Sequence, residues 1–178
     1  MLFRSSLLVF LGLLSFASSI TFPFSAGEID FDELEAVNPT AFSRHNITAA
    51  DGINLEAIVF NPRGVKKNPA IVYISSWGLM KYEYLYPAER NSDSGYTVVS
   101  YTARGFWGSS KKFNQPGGEI TLAGPEDIAD VSTVIDWMIK NTNADPTKIG
   151  VSGISYGAGL YQRLSYIWRV LCRPKLTE

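Results

Sequence analysis

The sequence predicts an α/β fold: a mainly parallel sheet flanked by helices, preceded by an antiparallel hairpin. Three features carry this reading. Two short, unbroken, β-branched apolar runs, Ala70–Ile74 and Thr97–Tyr101, are bounded by turn residues, as strands buried on both faces are. From Pro125 to about Asn141, Ile128, Val131, Ile135 and Met138, joined by Val134 and Ile139, make one apolar helical stripe. A third strand signal, Lys148–Ser152, runs straight into a glycine-bounded turn and a further helical stretch. Strands alternating with helices form βαβ units, and such units build parallel sheets.

The elements follow in order. Phe42 to Phe60 holds two strand-like runs joined at Asp51-Gly52, a dipeptide suited to tight turns because glycine accepts positive φ. The second run, Ile53–Phe60, alternates only partly, which predicts an outer strand covered on one face. Asn61 to Asn68 is a polar loop. Ser75-Ser76-Trp77-Gly78 and an aromatic stretch through Tyr82, Tyr84 and Tyr86 to Pro87 separate the two buried-strand runs. Pro125 opens the helix with Glu126 and Asp127 in its first turn, where they favour the dipole, and Asn143-Ala144-Asp145-Pro146 ends it. The predicted order is hairpin, strand, strand, helix, strand, turn, helix.

A chain of 178 residues suits one domain, with 46% hydrophobic and 19% charged residues and a net charge of −1. Nothing in that balance suggests electrostatic binding to nucleic acid or acidic membranes. One cysteine, Cys172, and one histidine, His45, exclude an internal disulfide and a Cys/His metal cluster, and no cofactor is implied.

Residues 1–19 read as a secretory signal: Arg4, an apolar run from Leu7 to Phe16, then small residues Ala17-Ser18-Ser19. The run is too short for a bilayer core, which takes about 20 residues. Secretion follows as an expectation, and Asn46-Ile47-Thr48 becomes a glycosylation acceptor. Residues 20–41 form an acidic lead-in segment, and residues 42–178 form the domain.

Gly153-Ile154-Ser155-Tyr156-Gly157 fits G-x-S-x-G between a strand and a helix, the context of a nucleophile elbow. The glycines remove side chains that would clash there, and the N–H after the serine points at a developing oxyanion. With Tyr101–Ser109, Gly124–Val131, Val134–Trp137 and Asp145–Gly157, the sequence resembles the α/β-hydrolase branch of X-prolyl dipeptidyl aminopeptidases and cocaine-esterase-like acyl hydrolases. The likeness runs from about Phe42 to Gly159. It implies a partial α/β-hydrolase sheet lacking the last strands, acyl transfer on an ester or peptide substrate, and Ser155 as nucleophile. It implies Tyr156 N–H as one oxyanion donor and the Ser76–Gly78 loop as the source of the second. Where the family carries a tyrosine hydroxyl this sequence has Trp77, which offers a backbone or indole N–H, or packs. Arg104 and Asp130 are expected to stabilise loop and helix.

The family's triad continues with an acid and a histidine after the serine. After Ser155 this sequence holds no histidine, and its only acid there is Glu178. His45, in the first hairpin, is expected to be a surface strand residue far from the elbow. A serine without a base is a weak nucleophile, so weak or absent hydrolase activity is expected. The alternative is a secreted, non-catalytic interaction or regulatory protein on a hydrolase fragment. The edge at Ile149–Ser152 would then serve self-association. Leu160 to Glu178 keeps a helical pattern, read either as a helix packed on the sheet or as a divergent end.

Overall fold

The structure is a computed structural model that describes residues 42–62, 64, 66–107, 109 and 120–171, with side chains to residue 166. The signal, the lead-in segment and Cys172 lie outside the described residues.

Five strands form one sheet: β1 (Phe42–Thr48), β2 (Asn54–Phe60), β3 (Asn68–Ile74), β4 (Thr97–Tyr101) and β5 (Ala144–Gly153). Their order is β1-β2-β4-β3-β5. β1 and β2 pair antiparallel, as do β2 and β4, whereas β3 runs parallel to both β4 and β5. The hairpin-then-parallel arrangement is the expected one. Helices α1 (Leu85–Asp93), α2 (Pro125–Asn141) and α3 (Tyr156–Leu171) flank the sheet.

β4 is buried at all five positions, as its unbroken apolar run predicts. β3 departs from expectation: Ala70, Val72 and Ile74 are buried while Ile71 and Tyr73 are only half-buried. β2 departs the other way. It lies inside the sheet between β1 and β4, and Ala57–Phe60 are buried on both faces. β5 begins earlier than Lys148, at Ala144, with a register shift opposite Asn68 and Ala70.

The main core forms where Leu55, Val59, Val72 and Tyr101 meet Val131, Val134 and Met138 of α2 and Leu160 and Leu164 of α3. The tail therefore does pack on the sheet as far as its side chains are described. A 3₁₀ turn, Lys81–Tyr84, leads into α1, the crossover between parallel β3 and β4 that the predicted order omits. Pro87 is the third residue of α1, where a missing N–H costs no intrahelical bond.

Candidate active site

β5 ends at Gly153 and α3 starts at Tyr156, so strand becomes helix across two residues, Ile154 and Ser155. Ser155 makes the corner with φ +53°, a left-handed conformation that costs a side-chain-bearing residue roughly 1–2 kcal/mol. A Cβ on Gly153 would lie 2.8 Å from the carbonyl carbon of Gly157 and 3.0 Å from the Ile74 oxygen. One on Gly157 would overlap that same oxygen. Only glycine at both positions lets β3, β5 and α3 come this close. The corner leaves Ser155 exposed.

Two neighbouring segments hold the corner. The Ile154 N–H donates to the Tyr84 hydroxyl at 2.8 Å. Ser76 Oγ donates to Glu83 Oε1 at 2.7 Å and reaches the Ile154 carbonyl at 3.2 Å, while Ser76 N–H donates to Glu83 Oε2 at 2.7 Å. Tyr84 stacks on Tyr73 with ring centroids 4.6 Å apart. Burial raises the Tyr84 pKa, opposed by the Ile154 N–H, so its hydroxyl stays neutral. Glu83 and Tyr84 are site residues that the sequence reading missed. Nothing local marks them, since their partners lie 7 and 70 residues away.

Tyr156 opens α3, and its N–H is among those that a helix start leaves without an intrahelical acceptor. In the loop after β3, Ser76 N–H is committed to Glu83, but neither N–H of Trp77 has a partner among the described residues. The Trp77 ring meets Phe106 at 5.0 Å and Tyr156 at 5.5 Å, both edge-on, and remains 52% exposed. Trp107 fastens the same loop by donating its indole N–H to the Gly78 carbonyl at 2.7 Å. Ser155, Tyr156 and Trp77 thus come together at one end of the sheet.

His45 does not join them. It lies on β1, four strands from β5, or about 19 Å at ordinary strand spacing. It is half-buried rather than on the surface, with its ring 4.7 Å from that of Trp137 and Nε2 2.8 Å from Ser43 Oγ. Asn46, next along β1, is exposed.

Arg104 and Asp130 do stabilise loop and helix. Arg104 donates Nε and Nη2 to Asp130 at 2.7 and 2.6 Å, and Nη1 to Asp51 at 3.0 Å. The bond to Asp130 raises the arginine pKa, so the clamp stays charged. Burial raises the Asp130 pKa, and Arg104 opposes it. Among the described residues no group of three or more His, Cys, Asp or Glu could hold a metal, and no helix is long and apolar enough to cross a membrane.

Comparison with known proteins agrees with this geometry. The sequence profile described as X-Pro dipeptidyl-peptidase (S15 family) matches residues 51–164, well over half the chain. No curated protein matches it. Among solved structures, DcsB in complex with its substrate analogue is similar at 19% identity and TM-score 0.60, over 71% of this chain and 41% of that one. The α/β hydrolase GrgF from Penicillium sp. sh18 is similar at 18% and 0.58, over 70% and 41%. A Pyrobaculum calidifontis esterase is similar at 24% and 0.55, over 75% and 41%. At these identities the likeness shows the fold, a partial α/β-hydrolase sheet. The chain spans 41% of the length of each of these structures.

Proposed function

We propose, from the premise that this chain belongs to the X-Pro dipeptidyl-peptidase (S15) family, that it carries the nucleophile half of a serine-hydrolase site. Ser155 is the nucleophile toward an ester or amide carbonyl. Tyr156 N–H is the first oxyanion donor and Trp77 N–H the second. The observation that carries this is Ser155 itself: an exposed serine at φ +53°, between glycines that no other residue could replace at that separation.

The reading includes a deficit. Within these 178 residues the one imidazole is on the far edge of the sheet. Among the described residues no imidazole lies near Ser155 to take its proton, and loss of a triad histidine costs around a millionfold in turnover. Incubation with a fluorophosphonate, followed by mass spectrometry, tests both parts. Slow modification confined to Ser155 is expected. Modification at ordinary serine-hydrolase rates would refute the deficit, and modification of a different serine would refute the assignment.

Export completes the reading. Asn46 is exposed on β1, as a glycosylated asparagine must be. Expression in a secretory host should yield a product that loses mass on amidase treatment, and Asn46→Gln should abolish that loss.

A second reading, a non-catalytic interaction protein, is favoured by one observation. β5 pairs only with β3 among the described residues. Beside its free edge lies a cavity of about 530 Å³ lined by Ile135, Ile139, Ile149, Tyr161 and Leu164. A strand from another copy would complete that edge. Sedimentation as a dimer that dissociates on introducing Val151→Pro supports this, and a cooperatively melting monomer counts against it.

A further inference from the structure

The Glu83 carboxylate is half-buried, yet among the described residues it forms no ion pair. Burying a charge without a counter-charge is costly unless hydrogen bonds replace the lost water. Both carboxylate oxygens go instead to a single residue. Oε2 accepts the Ser76 N–H and Oε1 the Ser76 hydroxyl, each at 2.7 Å, the short lengths typical of bonds to a carboxylate.

Ser76 stands directly before Trp77 and beside the elbow. Its carbonyl accepts the Leu79 N–H at 3.0 Å, closing a turn over Ser76–Leu79 in which Gly78 takes φ +71°. The Gly78 carbonyl is held in turn by the Trp107 indole. Ser76 Oγ also lies 3.2 Å from the Ile154 carbonyl, while Tyr84, next to Glu83 in sequence, accepts the Ile154 N–H. Glu83 and Tyr84 therefore govern both polar backbone groups of the residue before Ser155. The 3₁₀ turn that carries them is pinned to the end of β4. Lys81 N–H donates to Thr102 Oγ1 and the Ser100 hydroxyl donates to the Lys81 carbonyl, both at 2.8 Å, and Ser100 and Thr102 are fully buried.

We propose that Glu83 is a positioning residue that fixes the Trp77 backbone N–H, rather than the indole N–H, as the second oxyanion donor. This rests on the reading of Ser155 as nucleophile and deepens it. Oxyanion donors act by being fixed in place before the charge develops. The Trp77 peptide nitrogen lies between the gripped Ser76 and the anchored Gly78, so its N–H is directed from both sides, and it has no partner among the described residues. The indole is held by edge-on contacts with Phe106 and Tyr156 and is half exposed, which leaves its N–H free to turn. Glu83 bonds to neither donor. Through Ser76 N–H it orients the Trp77 side, and through Ser76 Oγ it meets the Ile154 carbonyl, two residues before Tyr156. One side chain thereby sets the spacing between two donors on different segments.

Glu83→Met keeps the length of the side chain and removes both acceptors. Glu83→Gln keeps an acceptor for the Ser76 N–H and a donor for the Ser76 oxygen. In the full chain, Glu83→Met should slow fluorophosphonate modification of Ser155 about tenfold, less than outright loss of such a donor, and Glu83→Gln should recover most of the rate. An unchanged rate with methionine, or no recovery with glutamine in protein that melts as the unaltered one does, overturns the proposal. In protein carrying nitrogen-labelled tryptophan, the two resonances that vanish in Trp77→Phe are the Trp77 backbone and indole. Modification of Ser155 should move the backbone resonance further than the indole one, and the reverse order overturns the choice of donor. If Ser155 takes no label in the unaltered protein, the nucleophile reading fails, while the backbone resonance still decides the hold of Glu83: methionine must move it and glutamine return it.

Discussion

The Tyr84 hydroxyl accepts the Ile154 N–H at 2.8 Å, across 70 residues of sequence, and so ties the residue before the nucleophile to the segment that follows β3. Without that phenol the amide, partly buried, would have no acceptor among the described residues. Tyr84→Phe is expected to cost about 1 kcal/mol, read as a lowered urea midpoint. The pH dependence has a definite sign. The folded pKa of Tyr84 lies above its ordinary 10.0, through burial first. Its contribution is therefore whole below pH 10 and is lost as pH rises through the folded value. The variant should lose less stability than the unaltered protein on crossing into that alkaline range.

Gly157 and Gly159, two residues apart in sequence, should respond oppositely to alanine. Gly157→Ala drives a methyl into the Ile74 carbonyl and should destabilise by about 3 kcal/mol. Gly159→Ala meets nothing within 4 Å and lies in α3, so it should stabilise by about 0.5–1 kcal/mol. Thermal melting of both variants checks the pair.

Ser155 holds a left-handed conformation that glycine adopts freely. Ser155→Gly should raise stability by up to about 1 kcal/mol while abolishing fluorophosphonate modification. Ser155→Val should lower stability, since a β-branched residue resists that geometry. A gain with glycine and a loss with valine is the signature of backbone strain kept for function.

Arg104→Met leaves Asp130 buried without its counter-charge and should cost about 3–5 kcal/mol. Asp130 already has a raised folded pKa, through burial, so its favourable contribution is present below 3.8 and is lost as pH rises through the folded value. Removing the guanidinium raises that pKa further. The deficit of Arg104→Met should thus be smallest in acid, where the carboxyl is protonated, and grow toward neutrality. Urea midpoints along a pH series check this, and adding Asp130→Leu should recover part of the loss.

What could be read from the sequence was local. β4 and α2 are legible because an unbroken apolar run and a proline-opened apolar stripe each have one structural solution. The Ser155 elbow is legible because its glycines and serine lie within five residues. α1 is not, because Tyr86, Pro87, Glu89, Arg90 and Asn91 give it a polar face and bury only Leu85 and Ala88. β2 was misjudged as an outer strand because its partial alternation reflects the ends: Asn54 and Glu56 face outward, while Ala57–Phe60 are enclosed by β4, which arrives some 40 residues later in the chain. Glu83 and Tyr84 were not read as site residues for the same reason. Their roles are set by residues that only folding brings near.

Exposed side chains hop between rotamers within nanoseconds, but the approach of Gly157 to the Ile74 carbonyl involves no side chain that could hop. Main chain rests on main chain there. The serine's place is therefore gauged against the innermost parallel strand, not against neighbours that breathe, and its thermal wander should follow that of β3.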